Sequence, residues 1–227
     1  MLVTSPGIRY FSHHEAKSLS GEFADWSEHD RDGKLLALAE VICEHKPLYG
    51  ISTGLIMEKF RAEMSQSVIP KKTLRTIAHI TDPYQFAFFE IVCRVLQVQV
   101  ERGIEERVDF VFDEHGLLEE CIELYRELKN QHLEERQKAI AGTVSSGNDR
   151  AIPALQAADL LAGQLTTSLR RGKHEPPLKM LRDCIEIFAV PIPLPSHMAL
   201  DELFQALNVI WSTKRLANIR EKHDPPG

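Results

Sequence analysis

The chain has 227 residues, 43% hydrophobic and 26% charged, which is the composition of an ordinary globular protein. Lys and Arg number 27 against 33 Asp and Glu, and the net charge of −6 argues against binding nucleic acid through overall charge alone. No run of about 20 apolar residues is present, which predicts a protein without membrane spans. Because no basic segment precedes an apolar one at the N-terminus, we expect a cytoplasmic protein, with one domain over residues 1–227.

The first part of the chain predicts helices separated by one short strand. Residues 1–26 carry little periodic signal and are predicted to be an irregular start. Ser27 and Asp30 resemble a capping box and predict the beginning of a helix. The apolar stripe of that helix consists of Leu35, Leu38, Ala39 and Ile42. Residues 48–53 predict a strand, and residues 55–64 predict an amphipathic helix.

The middle of the chain carries the clearest helix and strand signals. Asp82 and Pro83 predict a cap and the first residue of a long helix, which Gly103 is expected to end. Residues 108–112 are the clearest predicted strand, and Asp113 follows them directly. A charged helix, a weak strand and a loop are predicted next, over residues 117–135, 139–144 and 145–149.

The last third of the chain is predicted to be mainly helical. Pro153 opens an apolar helix to about Leu169, and a short helix follows a break over residues 172–177. A proline-rich turn, with Pro191, Pro193 and Pro195, precedes a final helix over residues 199–220. Alternating strands and helices predict an α/β fold with a short, mostly parallel sheet and C-terminal helices.

The four cysteines stand far apart and form neither a C-x-x-C motif nor a zinc site with paired histidines. Each lies in an apolar, helix-like stretch. We therefore expect buried free thiols in a reducing compartment. The four are Cys43, Cys93, Cys121 and Cys184.

Asp159 is a candidate site residue because it is acidic within an apolar helix. Leu155 and Ala162 share its helical stripe, and Gln156 lies one turn before it. A buried carboxylate needs compensation from a cation, a basic side chain, a cap or protonation. A metal ligand and a structural, hydrogen-bonded aspartate are both compatible with this pattern.

Asp113 and Glu114 are candidates because they follow the strongest strand. Ligands of open α/β sheets bind at the carboxyl ends of strands. Asp113 also suits a residue that caps the turn before the next helix. If Asp113 and Asp159 converge, they can hold one or two Mg²⁺ or Mn²⁺ ions against a phosphodiester.

The remaining polar clusters are weaker candidates. Residues 13–15, His-His-Glu, are predicted to be a solvated segment because adjacent residues seldom reach one metal ion. Two basic clusters are predicted to be hydrated helix ends rather than phosphate sites; they are Lys71, Lys72 and Arg75, and Arg170, Arg171 and Lys173. The sequence contains no phosphate-loop, dinucleotide-binding or serine-hydrolase motif.

Two motifs together resemble a bacterial family, the domain of unknown function 3800. They are Phe-Val-Phe-Asp-Glu at residues 110–114 and Leu-Gln-Ala-Ala-Asp-Leu-Leu-Ala-Gly at residues 155–163. Residues 15–27 and the Asn-Asp loop at residues 148–149 are also similar to the family. The resemblance implies a ribonuclease H-like fold, with Asp113 as the strand carboxylate and Asp159 as the helix carboxylate.

The chain departs from that family at its N-terminus. Members open with a strand that ends in Asp-Glu-Ser-Gly and supplies the first carboxylate, and this motif is absent here. We therefore expect a domain whose sheet is incomplete at its N-terminus, either through a misassigned start or a genuine deletion. Such a chain would expose a sheet edge, which favours a homodimer.

Two functions follow as hypotheses. The first is a nuclease-like, metal-dependent phosphodiesterase, in which Asp113, Glu114 and Asp159 hold Mg²⁺ or Mn²⁺ and Gln156 orients water or a phosphate oxygen. The second is a non-catalytic interaction module derived from a ribonuclease H-like fold, in a phage-defence or mobile-element setting. Its partner is nucleic acid or a protein, and the acidic net charge favours a protein.

Overall fold

The computed structural model describes residues 7–45, 49–54, 57–66, 82–131 and 133–191, and in them the chain is mixed α/β. The helices are α1 His13–Ser18, α2 Glu28–Glu44, α3 Met57–Gln66, α4 Pro83–Glu101, α5 Leu118–Gln131, α6 Glu135–Ile140, α7 Pro153–Arg171 and α8 Pro176–Cys184, with a 3-10 turn at Gly21–Phe23. The strands are β1 Gly50–Gly54, β2 Val108–Asp113, β3 Ala141–Gly147 and β4 Ile187–Pro191. The predicted basic cluster at residues 71–75, two of the predicted turn prolines and the predicted helix over residues 199–220 lie outside these ranges.

The predicted helix starts at Ser27 and Asp82 are confirmed. Ser27 Oγ accepts the Asp30 N–H at 3.1 Å, and the Ser27 hydroxyl donates to the Asp30 carboxylate at 2.5 Å. The Asp82 carboxylate accepts the Tyr84 N–H at 2.8 Å, and Gly103 follows this helix with a φ of +65°. Both caps satisfy amide groups that a first helical turn leaves without partners.

Three parts of the secondary structure differ from the prediction. The charged helix predicted over residues 117–135 is two helices, α5 and α6, because Glu134 begins a new capping box with Gln137. Strand β3 extends through Gly147 and includes residues predicted to be loop. Helix α1 and strand β4 were not predicted, since neither is long enough to show a clear period.

Within the described residues, the strands pair as β1 with β4 and β2 with β3. A side chain at Gly142 would meet the Val108 carbonyl, and one at Gly147 would meet Val111. The later residue of β3 thus lies beside the later residue of β2, so the two strands run parallel. The prediction of a short sheet with parallel pairing therefore agrees with this sheet.

The chain divides into two compact units whose segments alternate along the sequence. The first unit takes described parts of Met1–Ser52, Val111–His115 and Ser145–Ala189. Its buried apolar cluster draws on segments far apart in the chain, namely Ile8, Phe11, Ala16, Phe23, Leu35, Leu38, Ala39, Leu160, Leu181 and Ile185. Burial of these side chains is the main force that holds α1, α2, α7 and α8 together.

The second unit takes described parts of Thr53–Phe110 and Gly116–Val144. Helix α4 contacts α5 and α6 and buries Phe86, Val92 and Leu96. Phe86 packs on Phe60, with ring centroids 5.6 Å apart. Among the described residues of both units, no helix is long and apolar enough to cross a membrane.

The prediction of free thiols is confirmed for all four cysteines, but the prediction that all are buried is confirmed for Cys121 alone, because Cys43 and Cys93 are half-buried and Cys184 is exposed. Cys184 is the last residue of α8 and is exposed there. Burial raises the pKa of Cys121 to about 12 and that of Cys93 to about 11. The thiolate is the reactive form of cysteine, so the thiols of Cys121 and Cys93 are unreactive near neutral pH.

Candidate functional site

Gln156 and Asp159 lie one turn apart on helix α7, and both side chains are half-buried. Each accepts a backbone N–H from a distant segment at the beginning of α1. Gln156 Oε1 accepts the Phe11 N–H at 2.9 Å, and Asp159 Oδ2 accepts the His13 N–H at 2.7 Å. The two side chains therefore anchor residues 11–13 to α7 across 145 and 146 positions of the chain.

Gln156 also reaches the loop that precedes its own helix. Its Nε2 donates to the Asp149 carbonyl at 2.8 Å. The next residue, Arg150, places its guanidinium 4.5 Å from the centroid of the Tyr10 ring. One amide thus joins two backbone segments, and a cation–π contact supports the same junction.

Asp159 lies on α7 but caps the N-terminus of a different helix, α1. Ser12 is the N-cap residue of α1, but its side chain makes no capping hydrogen bond. The Asp159 carboxylate accepts the first helical N–H instead, at His13. A negative charge at a helix N-terminus is also electrostatically favourable. The sequence indicates that a cation, a basic side chain, a cap or protonation must compensate this half-buried carboxylate. The structure shows that Asp159 caps a helix.

The His13 imidazole explains the glycine one turn after Asp159. A side chain at Gly163 would collide with the ring, because the ring packs directly on the backbone of α7. The Nδ1 atom of His13 is buried and has no hydrogen-bond partner in the described part of the chain. Burial lowers the pKa of His13, and the negative charge of Asp159 acts in the opposite direction. Burial thus favours the neutral form of this imidazole.

Asp113 and Glu114 have a different environment at the end of β2. Both residues are exposed. Asp113 Oδ1 accepts the N–H of Glu114 at 2.9 Å, which is a local turn interaction. Residues 111–115 belong to the same compact unit as α7. The structure therefore places the four predicted site residues in one unit, with the helix pair hydrogen-bonded to distant backbone and the strand pair to its own turn.

Three of the weaker candidates, Glu15, Arg171 and Lys173, have structural partners. Glu15 accepts the Tyr10 hydroxyl at 2.8 Å and the Glu22 N–H at 3.1 Å. Arg171 and Lys173 lie 3.0 and 3.6 Å from the Glu175 carboxylate. Across the described ranges, no group of three or more His, Cys, Asp or Glu side chains is arranged to hold a metal ion.

No protein-family model matches this chain, and no curated protein or solved structure is similar to it. The similarity to the domain of unknown function 3800 therefore stays a prediction. The function proposed below therefore depends on the hydrogen bonds and burial of Gln156 and Asp159.

Two features on and around helix α7 were not predicted. One is the partner of Gln156 and Asp159, the backbone of residues 11–13, which lies in the segment expected to be irregular. The other is Gln164, which is only 3% exposed and whose Oε1 has no partner among the residues described. The sequence signal that could have identified Gln164 is its position on the apolar side of α7, directly after Gly163.

Proposed function

We propose that this protein is a non-catalytic binding domain in which Gln156 and Asp159 hold residues 11–13 in place. The observation that carries this proposal is the 2.7 Å hydrogen bond from the His13 N–H to Asp159 Oδ2. An oxygen that accepts a backbone amide is a poorer ligand for Mg²⁺, which requires near-octahedral oxygen coordination. The role of the acidic helix residue is then structural, and function resides in binding.

The proposal includes a ribonuclease H-like architecture and membership of the domain of unknown function 3800. The parallel pairing of β2 and β3 supports it, as does the placement of residues 111–114 and 155–163 of the two quoted motifs in one compact unit. A fold of this class does not specify catalysis, because function depends on the groups present at the site.

A metal-dependent nuclease is the second candidate. Asp159 Oδ1 has no hydrogen-bond partner in the described ranges, and the exposed Asp113 belongs to the same unit. In this alternative, Asp113, Glu114 and Asp159 bind Mg²⁺ or Mn²⁺, and Gln156 orients water or a phosphate oxygen. The metal would supply an activated water and stabilise the leaving oxygen.

Titration with Mn²⁺ by calorimetry, followed by a nuclease assay on single-stranded and duplex DNA and RNA, separates the two functions. We expect neither Mn²⁺ binding nor cleavage. Asp159→Asn is the informative variant because its amide oxygen still accepts the His13 N–H while the charge is lost. Stoichiometric Mn²⁺ binding together with Mn²⁺-dependent cleavage, both lost in Asp159→Asn and Asp113→Asn, would establish the nuclease and refute the binding-only function.

The proposed partners are nucleic acid or a protein, and a second copy of the chain is proposed at the sheet. Val111 of β2 is 44% exposed and offers an apolar side chain at the sheet for such a contact. Light scattering after size exclusion tests the homodimer. We expect Val111→Lys to shift a dimer toward monomer, and a monomeric wild-type protein would exclude this interface.

A further inference from the structure

A cleft in the first unit, between α1, α2, α7 and the start of α8, has the size of a small-molecule site. Its volume is about 450 Å³. Pockets that enclose small ligands typically have volumes of roughly 300–1,000 Å³. We call it the cationic cleft, after the side chains Lys17, Arg31, Arg170 and Arg171 that line it. It does not include Gln156 or Asp159 among its lining residues.

Two residues that line this cleft each carry a buried polar atom without a partner within the described residues. These atoms are the Gln164 Oε1 atom, on a side chain that is 3% exposed, and the His13 Nδ1 atom. Buried polar atoms are nearly always hydrogen-bonded in folded proteins. The Gln164 amide offers an acceptor and a donor, and the neutral imidazole offers one or the other according to its tautomer. Neither atom is exposed to the cleft in this conformation, so a ligand with both kinds of group would satisfy them once the two side chains turn toward it.

The cleft walls near these groups are apolar. Leu35 and Leu36 contribute from α2, and Pro176 and Pro177 contribute from α8. Leu36 is 36% exposed, so part of its apolar surface is open to solvent. Apolar lining of this kind suits the ring of a small ligand, because small-molecule pockets are lined mainly by apolar side chains with a few polar groups.

The remaining lining is a cationic rim on an acidic protein. Arg31 and Arg171 are paired with Asp32 and Glu175, at 2.8 and 3.0 Å. Lys17 and Arg170 are exposed and have no ion-pair partner among the described residues. Two uncompensated cations beside an apolar slot favour a ligand that carries phosphate at one end.

From this arrangement we propose that the cationic cleft binds a mononucleotide. The base lies between the leucine and proline walls with its polar edge on Gln164, and the phosphate lies at Lys17 and Arg170. An amide matches the paired donor and acceptor of a base edge. This inference deepens the proposed binding function, but it involves neither metal nor the Asp159 carboxylate.

Calorimetric titration of the full chain with AMP, GMP, CMP, UMP and inorganic phosphate tests the inference. We expect at least one nucleotide to bind with a stoichiometry of one, and inorganic phosphate to bind about tenfold more weakly or not at all. Equal affinity for phosphate and nucleotides would overturn the proposal, because it would indicate an anion site without base recognition. Absence of binding by every nucleotide would also overturn it.

Three variants locate the site. Gln164→Leu removes the amide, and Arg170→Gln and Lys17→Gln remove rim charges at exposed positions. We expect about a tenfold loss of nucleotide affinity in each. Arg126→Gln, at an exposed position of α5, is the matched control and should leave affinity unchanged. Unchanged binding in both rim variants would refute the site even if Gln164→Leu failed to fold. A metal-dependent nuclease activity would refute the proposed function without affecting this readout.

Discussion

The helix pair, Gln156 and Asp159, and the strand pair, Asp113 and Glu114, have similar polar side chains but different structural roles. Gln156 and Asp159 are half-buried, and their hydrogen bonds reach backbone 145 and 146 positions away. Asp113 and Glu114 are exposed, and the bond of Asp113 reaches the next residue. Long-range bonds to main-chain amides stabilise the folded state only, whereas a turn bond also forms in the unfolded chain. The helix pair therefore supports the fold, and the strand pair does not.

Removing the Asp159 carboxylate should cause the largest loss of stability. We expect Asp159→Ala to lower the free energy of unfolding by about 1.5–3 kcal/mol, because the His13 N–H and the start of α1 lose their acceptor. Asp113→Ala should change it by less than about 0.5 kcal/mol. Urea denaturation of both variants measures this difference, and equal losses would contradict the contrast between the pairs.

Gln156→Ala should have the second-largest effect. It removes the acceptor of the Phe11 N–H and the donor to the Asp149 carbonyl, and we expect a loss of about 1–2 kcal/mol. Gln97→Ala is the control, because Gln97 is an exposed helical glutamine bonded only to its helix neighbours Arg94 and Glu101. That change should stay within about 0.5 kcal/mol. Similar urea midpoints for the two variants would refute the anchoring role of Gln156.

Alanine at Gly163 tests the packing of His13 on α7. A methyl group there displaces the imidazole, and we expect a net loss of about 1 kcal/mol after allowing for the higher helix propensity of alanine. Gly33→Ala in α2 is the control, because a methyl group at Gly33 meets nothing within 4 Å. It should stabilise the protein by about 0.5–1 kcal/mol. Thermal unfolding should therefore give changes of opposite sign, and the same sign would exclude the close contact.

Glu90 is a useful contrast to Asp159. It is also a half-buried carboxylate, but it has no hydrogen-bond donor in the described ranges. Burial raises its pKa above the ordinary value of 4.5. The folded state therefore disfavours the ionised form, and the wild-type protein loses stability as pH rises above that value. We expect Glu90→Gln to be more stable than wild type at pH 7, with the difference vanishing below pH 4.5.

Denaturation of Glu90→Gln and wild type across this pH range measures the effect. Glu123→Gln, on the exposed face of α5, is the control and should follow the wild-type curve. A constant difference at all pH values would mean that Glu90 acts through packing rather than charge.

Much of the local structure could be predicted from the residues themselves. Ser27 and Asp82 begin their helices, and Gly103 follows the end of one, because capping groups act on amides and carbonyls within a single turn. The strand over residues 108–112 was recognisable from its β-branched and aromatic residues. Short elements such as α1 and β4 were missed, because six or five residues carry too little periodicity.

The need of Asp159 for compensation was readable in the sequence, because an acidic side chain in an apolar helix has a desolvation cost wherever the helix packs. The identity of the compensating group was not. The His13 amide lies 146 positions away, and only the packing of α1 on α7 brings it to the carboxylate. The same packing places His13 beside Gln164 and the rim cations, so the cationic cleft is a property of the tertiary structure. Local signals determine where helices begin, whereas contacts between distant segments depend on how the whole core is buried.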